Sequence, residues 1–283
     1  MKKITSQFKI KSSILGTILI LFAFTSCEDV VDVELDTAPP KLVVDASIAW
    51  QKGTDGSYQK VKLTTTTAYF SNEIPTVSDA VVFITNLNSG QVFNFIESET
   101  LPGIYECFDF VPVLNDEFEI TIVYENETYK ASEPLIGVPT IEFIEQSTID
   151  AFGAELIELK YFFQDNPDED NFYLSRFDSP SYAVPEYGVD DDRFTQGNLM
   201  FGIIIDEKLE AGQETVIGIN GISEQYFNYM RILLSIAGSG GGSPFQAPPS
   251  TVRGNIVNQD NFNNFCLGYF RLSEQDVVEY TVQ

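Results

Sequence analysis

From Lys41 onward the chain alternates between apolar and polar positions. Leu42-Val43-Val44-Asp45-Ala46-Ser47-Ile48 places an apolar residue at every second position, the period of a half-buried strand. Similar runs follow at Val61–Thr67, Ala80–Thr85, Gln91–Ile96, Gly103–Phe108, Phe118–Tyr124 and Thr128–Ala131, rich in β-branched and aromatic side chains. Asn88-Ser89-Gly90 and Glu125-Asn126-Glu127 separate pairs of runs as hairpin turns do. About seven short strands in roughly a hundred residues, with no helical period, predict a β-sandwich of immunoglobulin-like or prealbumin-like type over residues 41–138.

Gly137-Val138-Pro139 interrupts the pattern, and residues 139–283 are expected to form a second β-rich domain. Strands are predicted at Ile141–Ile144, Leu156–Phe163, Phe172–Phe177, Leu199–Ile205 and Glu214–Ile219, with terminal strands at Gly254–Ile256, Cys266–Arg271 and Val277–Val282. Leu156–Phe163 and Phe172–Phe177 read as a hairpin around Gln164–Asn171, and Asp178–Arg193 reads as a loop. The helical period occurs convincingly once, over about 223–237. Ser223 is the expected N-cap, and Tyr226, Tyr229, Met230, Leu233, Leu234 and Ala237 form the face predicted to pack on the sheet. The Gly/Ser run from Gly238 to Pro244 follows this helix and lacks a Gly-Lys-Ser/Thr ending, so it reads as a connection and not as a phosphate loop.

The first forty residues follow a different pattern. Lys2, Lys3, Lys9 and Lys11 precede an apolar run from Ile14 to Phe24, then Thr25-Ser26-Cys27. That order matches a secretory signal over residues 1–26. With cysteine at the cleavage position it resembles a bacterial lipoprotein signal, in which Cys27 becomes the lipidated first residue of the mature chain. At 1.5 Å per residue the run covers roughly half of a ~30 Å hydrocarbon core, too little for a transmembrane helix. Cleavage after Ser26 without lipidation is the remaining alternative. Residues 27–40 form an acidic tether containing Glu28, Asp29, Asp32, Glu34 and Asp36. Acids this close to the cysteine, Glu28 and Asp29 first, resemble the export signal that sends Bacteroidota lipoproteins to the outer face of the outer membrane. Asp36-Thr37-Ala38 resembles the O-glycosylation motif of the same phylum, with Thr37 as acceptor.

Composition narrows the function. The 283 residues carry 16 Lys and Arg against 42 Asp and Glu. Four of the basic residues lie in the signal, so the mature chain has 12 against 42, a net charge near −30. Such a field repels nucleic acid, which is not expected as a partner. The absence of histidine removes Ser–His and Cys–His nucleophile systems and the usual zinc sites. Beyond Cys27 only Cys107 and Cys266 remain, expected as two separate buried thiols.

Asp165, Asp168 and Asp170 in the acidic segment offer hard oxygens of the kind calcium takes, but the EF-hand glycine is missing and the twelfth position is Arg176. A solvated turn is the preferred reading, and no metal or cofactor is assigned. Asp190-Asp191-Asp192 likewise reads as a solvated loop. A pair of carboxylates is all that glycoside hydrolysis requires, and 42 acids make such a pair uninformative. Tyr182, Tyr187, Phe245 and Phe262 are the loop aromatics that suit a ligand or partner surface.

Taken in order, the features resemble a known family. They are the lipobox cysteine, Leu42-Val43-Val44, Gly103-Ile104-Tyr105, Tyr129-Lys130-Ala131-Ser132, the Asp165–Asn171 segment, the Tyr-rich helix, Gly242-Ser243-Pro244-Phe245, Gly254-Asn255-Ile256 and Leu267-Gly268-Tyr269-Phe270. The set resembles the domain-of-unknown-function 4249 family of Bacteroidota lipoproteins over nearly the whole mature chain. The resemblance implies partnership with a TonB-dependent outer-membrane transporter and a non-enzymatic accessory role in uptake, by ligand capture or docking. It brings no catalytic or binding residues with it. A structural or adhesive surface protein is the alternative function, and a carboxylate-based glycan hydrolase a more distant one.

Overall fold

The computed structural model describes residues 39–68, 71, 73–151, 153–238 and 252–283, with Pro40–Gln283 forming one compact unit. The described chain is mainly β. Its first part contains β1 (Leu42–Gln51), β2 (Gln59–Thr65), β3 (Val81–Asn86), β4 (Val92–Glu97), β5 (Ile104–Cys107), β6 (Glu117–Tyr124) and β7 (Glu127–Ile136). The second contains β8 (Ile141–Ala151), β9 (Ala154–Gln164), β10 (Phe172–Asp178), β11 (Glu186–Asp191), β12 (Leu199–Asp206) and β13 (Glu214–Ile222). Helix α1 (Glu224–Gly238), β14 (Val257–Asn258) and β15 (Leu267–Thr281) complete it.

The seven strands predicted before residue 138 all form, and their alternation is visible as burial. In β1, Leu42, Val44, Ala46 and Ile48 point inward and are buried. The β6–β7 turn consists of Glu125 and Asn126, both at positive φ (51° and 61°), the two-residue arrangement that matches the twist of a hairpin. β15-β1-β2-β5 and β4-β3-β6-β7 form the two layers of a sandwich. Short pairings of β4 with β5 and of β7 with β15 join the layers at both edges into a barrel-like ring. The core inside is built from Val44, Ile48, Leu63, Ile84, Phe93, Phe118, Ile120 and Phe270.

β15 is the strand common to both parts. Leu267 to Gln275 pair in parallel with β1, and Gln275 to Thr281 pair antiparallel with β13. Beyond β13 the sheet continues through β10 to β11. A separate sheet, β12-β9-β8, faces this extension across a second core that includes Ile141, Leu159, Tyr161, Phe163, Phe177 and Ile217. The change of core falls at Val138. The segment after Gly254 returns to the first core through Ile256, Cys266, Phe270 and Leu272, so residues 139–283 contribute to both.

Several details differ from the sequence reading. β9 and β10 are not a hairpin: β9 lies between β8 and β12, whereas β10 pairs with β13 and β11 in the other sheet. Both strands are buried on the core side, and the chain between them crosses from one layer to the other. The loop expected at Asp178–Arg193 contains β11. The two predicted terminal strands over 266–271 and 277–282 are one strand of 15 residues, with Ser273, Glu274 and Asp276 buried in its middle. Ser223 does cap α1, its Oγ accepting the Tyr226 N–H at 3.2 Å. The buried face of α1 is Tyr226, Phe227 and Met230, against Leu174, Ile222 and Tyr269, while Leu233 and Ala237 are exposed.

The motif glycines are explained by close packing. A Cβ on Gly254 would lie 1.6 Å from the Gly268 carbonyl oxygen, and one on Gly268 (φ +93°) 1.8 Å from that of Val44. Asn255, beside them, accepts the Phe270 N–H at 3.0 Å and donates to the Phe270 carbonyl at 2.8 Å, replacing a strand neighbour. Gly254→Ala and Gly268→Ala are each expected to lower stability by about 3 kcal/mol or more in denaturant unfolding, because backbone must move. Gly212→Ala, at φ +88° in open space, loses only the left-handed preference, about 1–2 kcal/mol. Among the described residues Cys107 and Cys266 form no disulfide; both are buried, and burial pushes their thiols up to about 11 and about 12. Both are expected to resist a disulfide reagent at pH 8 in the native protein and to react on unfolding.

Candidate functional site

Where the chain passes from β7 to β8, a cleft of about 680 Å³ opens. Its origin is the change of sheet. Leaving the ladder of β7 frees the backbone N–H groups of Val138 and Ile141, which then take side-chain acceptors from β15. Glu274 accepts the Val138 N–H at 3.0 Å and also meets Lys52 Nζ at 2.9 Å, while Asp276 accepts the Ile141 N–H at 2.7 Å. One wall of the cleft is Leu114 and Asn115 from the β5–β6 loop together with Gly137, Val138 and Pro139. The other is the β9–β10 crossover from Gln164 to Tyr173, and Ser223 and Glu224 close it at the start of α1.

The crossover is held by its own side chains. Asp165 is 1% exposed and accepts hydrogen bonds from the Tyr173 hydroxyl and from the Gly197 N–H at 2.7 Å. Burial, followed by the hydrogen bond to Asp165, pushes the Tyr173 phenol well above its ordinary value. Asn166 donates to Glu169 at 2.8 Å and accepts the Asp168 N–H. Lys52, the one cation of the cleft among the described residues, already meets Glu274. Glu169, Asp170 and Glu224 remain around the opening, with the amides of Asn115, Gln164 and Asn166 and the apolar surfaces of Leu114, Val138 and Phe172. Such a lining hydrogen-bonds hydroxyl-rich molecules and attracts cationic ones; it disfavours anions.

The sequence candidates are placed apart. Tyr182 lies beyond the end of β10 with Lys208 Nζ 4.2 Å from its ring centre. Tyr187 stands on β11 opposite Arg176 and is 43% exposed. Phe262 is 73% exposed in the loop after β14, and that loop is fastened to the start of β7. Glu127 accepts from Asn258 at 2.8 Å, from Asn264 at 2.6 Å and from the Tyr129 hydroxyl at 2.9 Å. Tyr182 and Tyr187 thus belong to the β10–β11 hairpin, and Phe262 to a separate loop anchored on β7. Cys27, Glu28, Asp29, Thr37 and Phe245 lie outside the described residues. Asp165, Asp168 and Asp170 do not converge either: Asp165 is buried with both oxygens occupied, Asp168 and Asp170 are exposed, and no group of three metal-type side chains gathers among the described residues.

The Asp190–Asp192 cluster is not a solvated loop. Asp190 and Asp191 end β11, and Asp192 is 1% exposed, its Oδ2 accepting the Asn171 N–H at 2.8 Å. Asp192 Oδ1 and Asn171 Oδ1 are both buried, and no donor reaches them among the described residues. Burial, with Asp165 and Asp170 adding to it, raises the Asp192 carboxyl above the ordinary range. A carboxyl raised on folding opposes the folded state once the unfolded chain ionises, above about pH 4, and is neutral to stability when both states are protonated below that. Asp192→Asn removes the buried charge and supplies a donor. It is expected to raise Tm at pH 7, with the gain fading as the pH falls below about 4 in a thermal-melt series.

Comparison with solved structures finds similarity at low scores. A two-domain fibronectin type III segment of chicken tenascin is 12% identical with a TM-score of 0.22, over 64% of this chain and 90% of that one. A cytokine receptor complex is 7% identical with a TM-score of 0.24, over 64% and 83%. The chicken interferon gamma receptor alpha chain is 11% identical with a TM-score of 0.20, over 65% and 90%. No curated protein matches the chain. The sequence profile of the domain of unknown function DUF4249 matches residues 28–277, most of the chain and nearly all of the β body, and the protein therefore belongs to that family.

Proposed function

We propose that this protein is a surface-exposed, lipid-anchored accessory of a TonB-dependent uptake complex in the outer membrane, acting without catalysis by capturing or docking a ligand. The observation that carries this reading is the succession of a basic start, the Ile14–Phe24 apolar run, Cys27, and the acids Glu28 and Asp29. The family match supports it by beginning at Glu28, one residue past the cysteine. Two or three acyl chains on Cys27, each methylene worth roughly 0.8 kcal/mol in a bilayer, hold the body at the membrane for as long as the protein lasts. Glu28 and Asp29 direct it to the outer face in the organisms whose export signal they resemble, and Thr37 is the glycosylation site of the tether.

The β body then serves as a rigid scaffold, and the cleft beside Glu274 is its ligand pocket. The lining suits hydroxyl-rich or cationic molecules, and the strongly negative field of the whole chain adds to the attraction of cations. Membrane fractionation with metabolic fatty-acid labelling tests the anchor. Cys27→Ser is expected to abolish labelling and release the protein from membranes, and an unchanged distribution would refute the anchored reading. Affinity purification from detergent-solubilised outer membranes tests the partner. Co-purification of a TonB-dependent barrel is the expected outcome, whereas recovery of the protein without one favours a purely structural or adhesive role.

A further inference from the structure

The sheet β12-β9-β8 buries one face and leaves the other in solvent, and that outer face is apolar along its edge. Leu199, Phe201, Ile203 and Ile205 are the outward positions of β12, each between 44% and 52% exposed, with no charge among them. The register sets Phe201 beside Phe162 and Phe162 beside Phe143, and their rings run in a row, with centroids 5.6 Å and 4.5 Å apart. Phe194, 98% exposed, lines a small pocket together with Phe201. In a chain of net charge −26, a strand with four uncharged apolar residues facing water is an exception.

β12 is also an unprotected edge. Among the described strands it pairs with β9 alone, and it contains no lysine, no proline and no bulge to discourage a further strand. The other free edges differ. β8 exposes Glu142, Glu145 and Asp150, β11 carries Glu186, Asp190 and Asp191, and β14 is only two residues long. Carboxylates set opposite their own copies repel, so neither long acidic edge can pair with itself.

We propose that β12 pairs antiparallel with β12 of a second copy of this chain, about a two-fold axis at Gly202, joining two three-stranded sheets into one of six strands. In that register Phe201 of one copy lies beside Ile203 of the other, and Leu199 beside Ile205. These are aromatic–β-branched and aliphatic cross-strand pairs, the kind that stabilise sheets. On the inner face Met200 meets Ile204 and Gly202 meets Gly202, and Asp206 falls opposite Asn198, so no acid faces an acid. The contact is isologous and closes after two copies, so no fibre follows from it. Because both bodies are strongly negative, the association tightens as salt screens their repulsion.

The test uses the full chain. Sedimentation in mild detergent is expected to give a monomer–dimer equilibrium in the micromolar range, shifted toward dimer by salt. Ile203→Lys, at a half-exposed position, is expected to weaken it by roughly tenfold or more. Independently, the paired substitutions Phe201→Cys and Ile203→Cys are expected to give a disulfide-linked dimer on oxidation of intact membranes. The pair Leu199→Cys and Phe201→Cys, which the register does not oppose, is expected to give none. A single-copy mass at every salt concentration, an equilibrium indifferent to Ile203→Lys, or equal cross-linking by both cysteine pairs overturns the proposal. Cross-linking of the 201/203 pair to an unrelated polypeptide also overturns it, by identifying a foreign strand as the occupant.

Discussion

Glu274 and Asp276 sit in the middle of β15, where a strand buried on both sides would ordinarily carry apolar residues. They are there because β7 and β8 belong to different sheets. The chain leaves one ladder as it enters the next, and the N–H groups of Val138, between the strands, and Ile141, at the start of β8, would otherwise be buried without acceptors, at a cost of about 1–3 kcal/mol each. Carboxylates are strong acceptors, and Lys52 forms an ion pair with Glu274 at 2.9 Å. This junction fixes the second sheet against the first. It demands small residues nearby: a Cβ on Gly221 in β13 would lie 1.9 Å from the Gly137 carbonyl oxygen. The cleft opens at the same place, since an interrupted ladder cannot be packed as closely as a continuous one.

Much of the architecture is written in local pattern. Strands with one face in the core alternate, as β1, β3 and β6 do, and turns such as Glu125-Asn126 announce themselves by residue type. The failures occur where a strand's surroundings come from distant sequence. β11 is half exposed and acidic, so it carries no apolar alternation. The middle of β15 is polar because its partners are backbone groups more than 130 residues away. The β9–β10 connection looks like a hairpin because proximity in sequence and turn-forming residues are the same for a loop that returns along one sheet and a loop that crosses to another. For α1 the period was legible but the buried face was rotated, with Phe227 inside in place of Leu233.

The candidate site was less legible still. Aromatic residues point to Tyr182, Tyr187 and Phe262, yet the main cavity is lined by amides, carboxylates and backbone brought together from six separate stretches. No spacing in the sequence marks such a set. Conversely, the Gly254-Asn255-Ile256 and Leu267-Gly268-Tyr269-Phe270 motifs carried the family resemblance and turn out to be a packing seam. The Tyr269 hydroxyl donates to buried Glu133 at 2.8 Å, and Asn255 donates to the same carboxylate at 3.1 Å, tying the base of the helix layer to β7. Burial raises that carboxyl, so it adds little charge to the interior near its ordinary titration range.

The parallel pairing of β1 with β15 has a kinetic corollary. Val43 meets Leu267, about 220 positions later in the polypeptide. At a synthesis rate of about 5–20 residues per second, β1 leaves the ribosome roughly 10–45 s before the strand that completes its sheet. Through that interval Leu42, Val44, Ala46 and Ile48 have a neighbour on one side only, and loop-closure entropy delays their contact even after the chain is finished. Folding of a chain with this topology is therefore a late, collective event in place of a stepwise one.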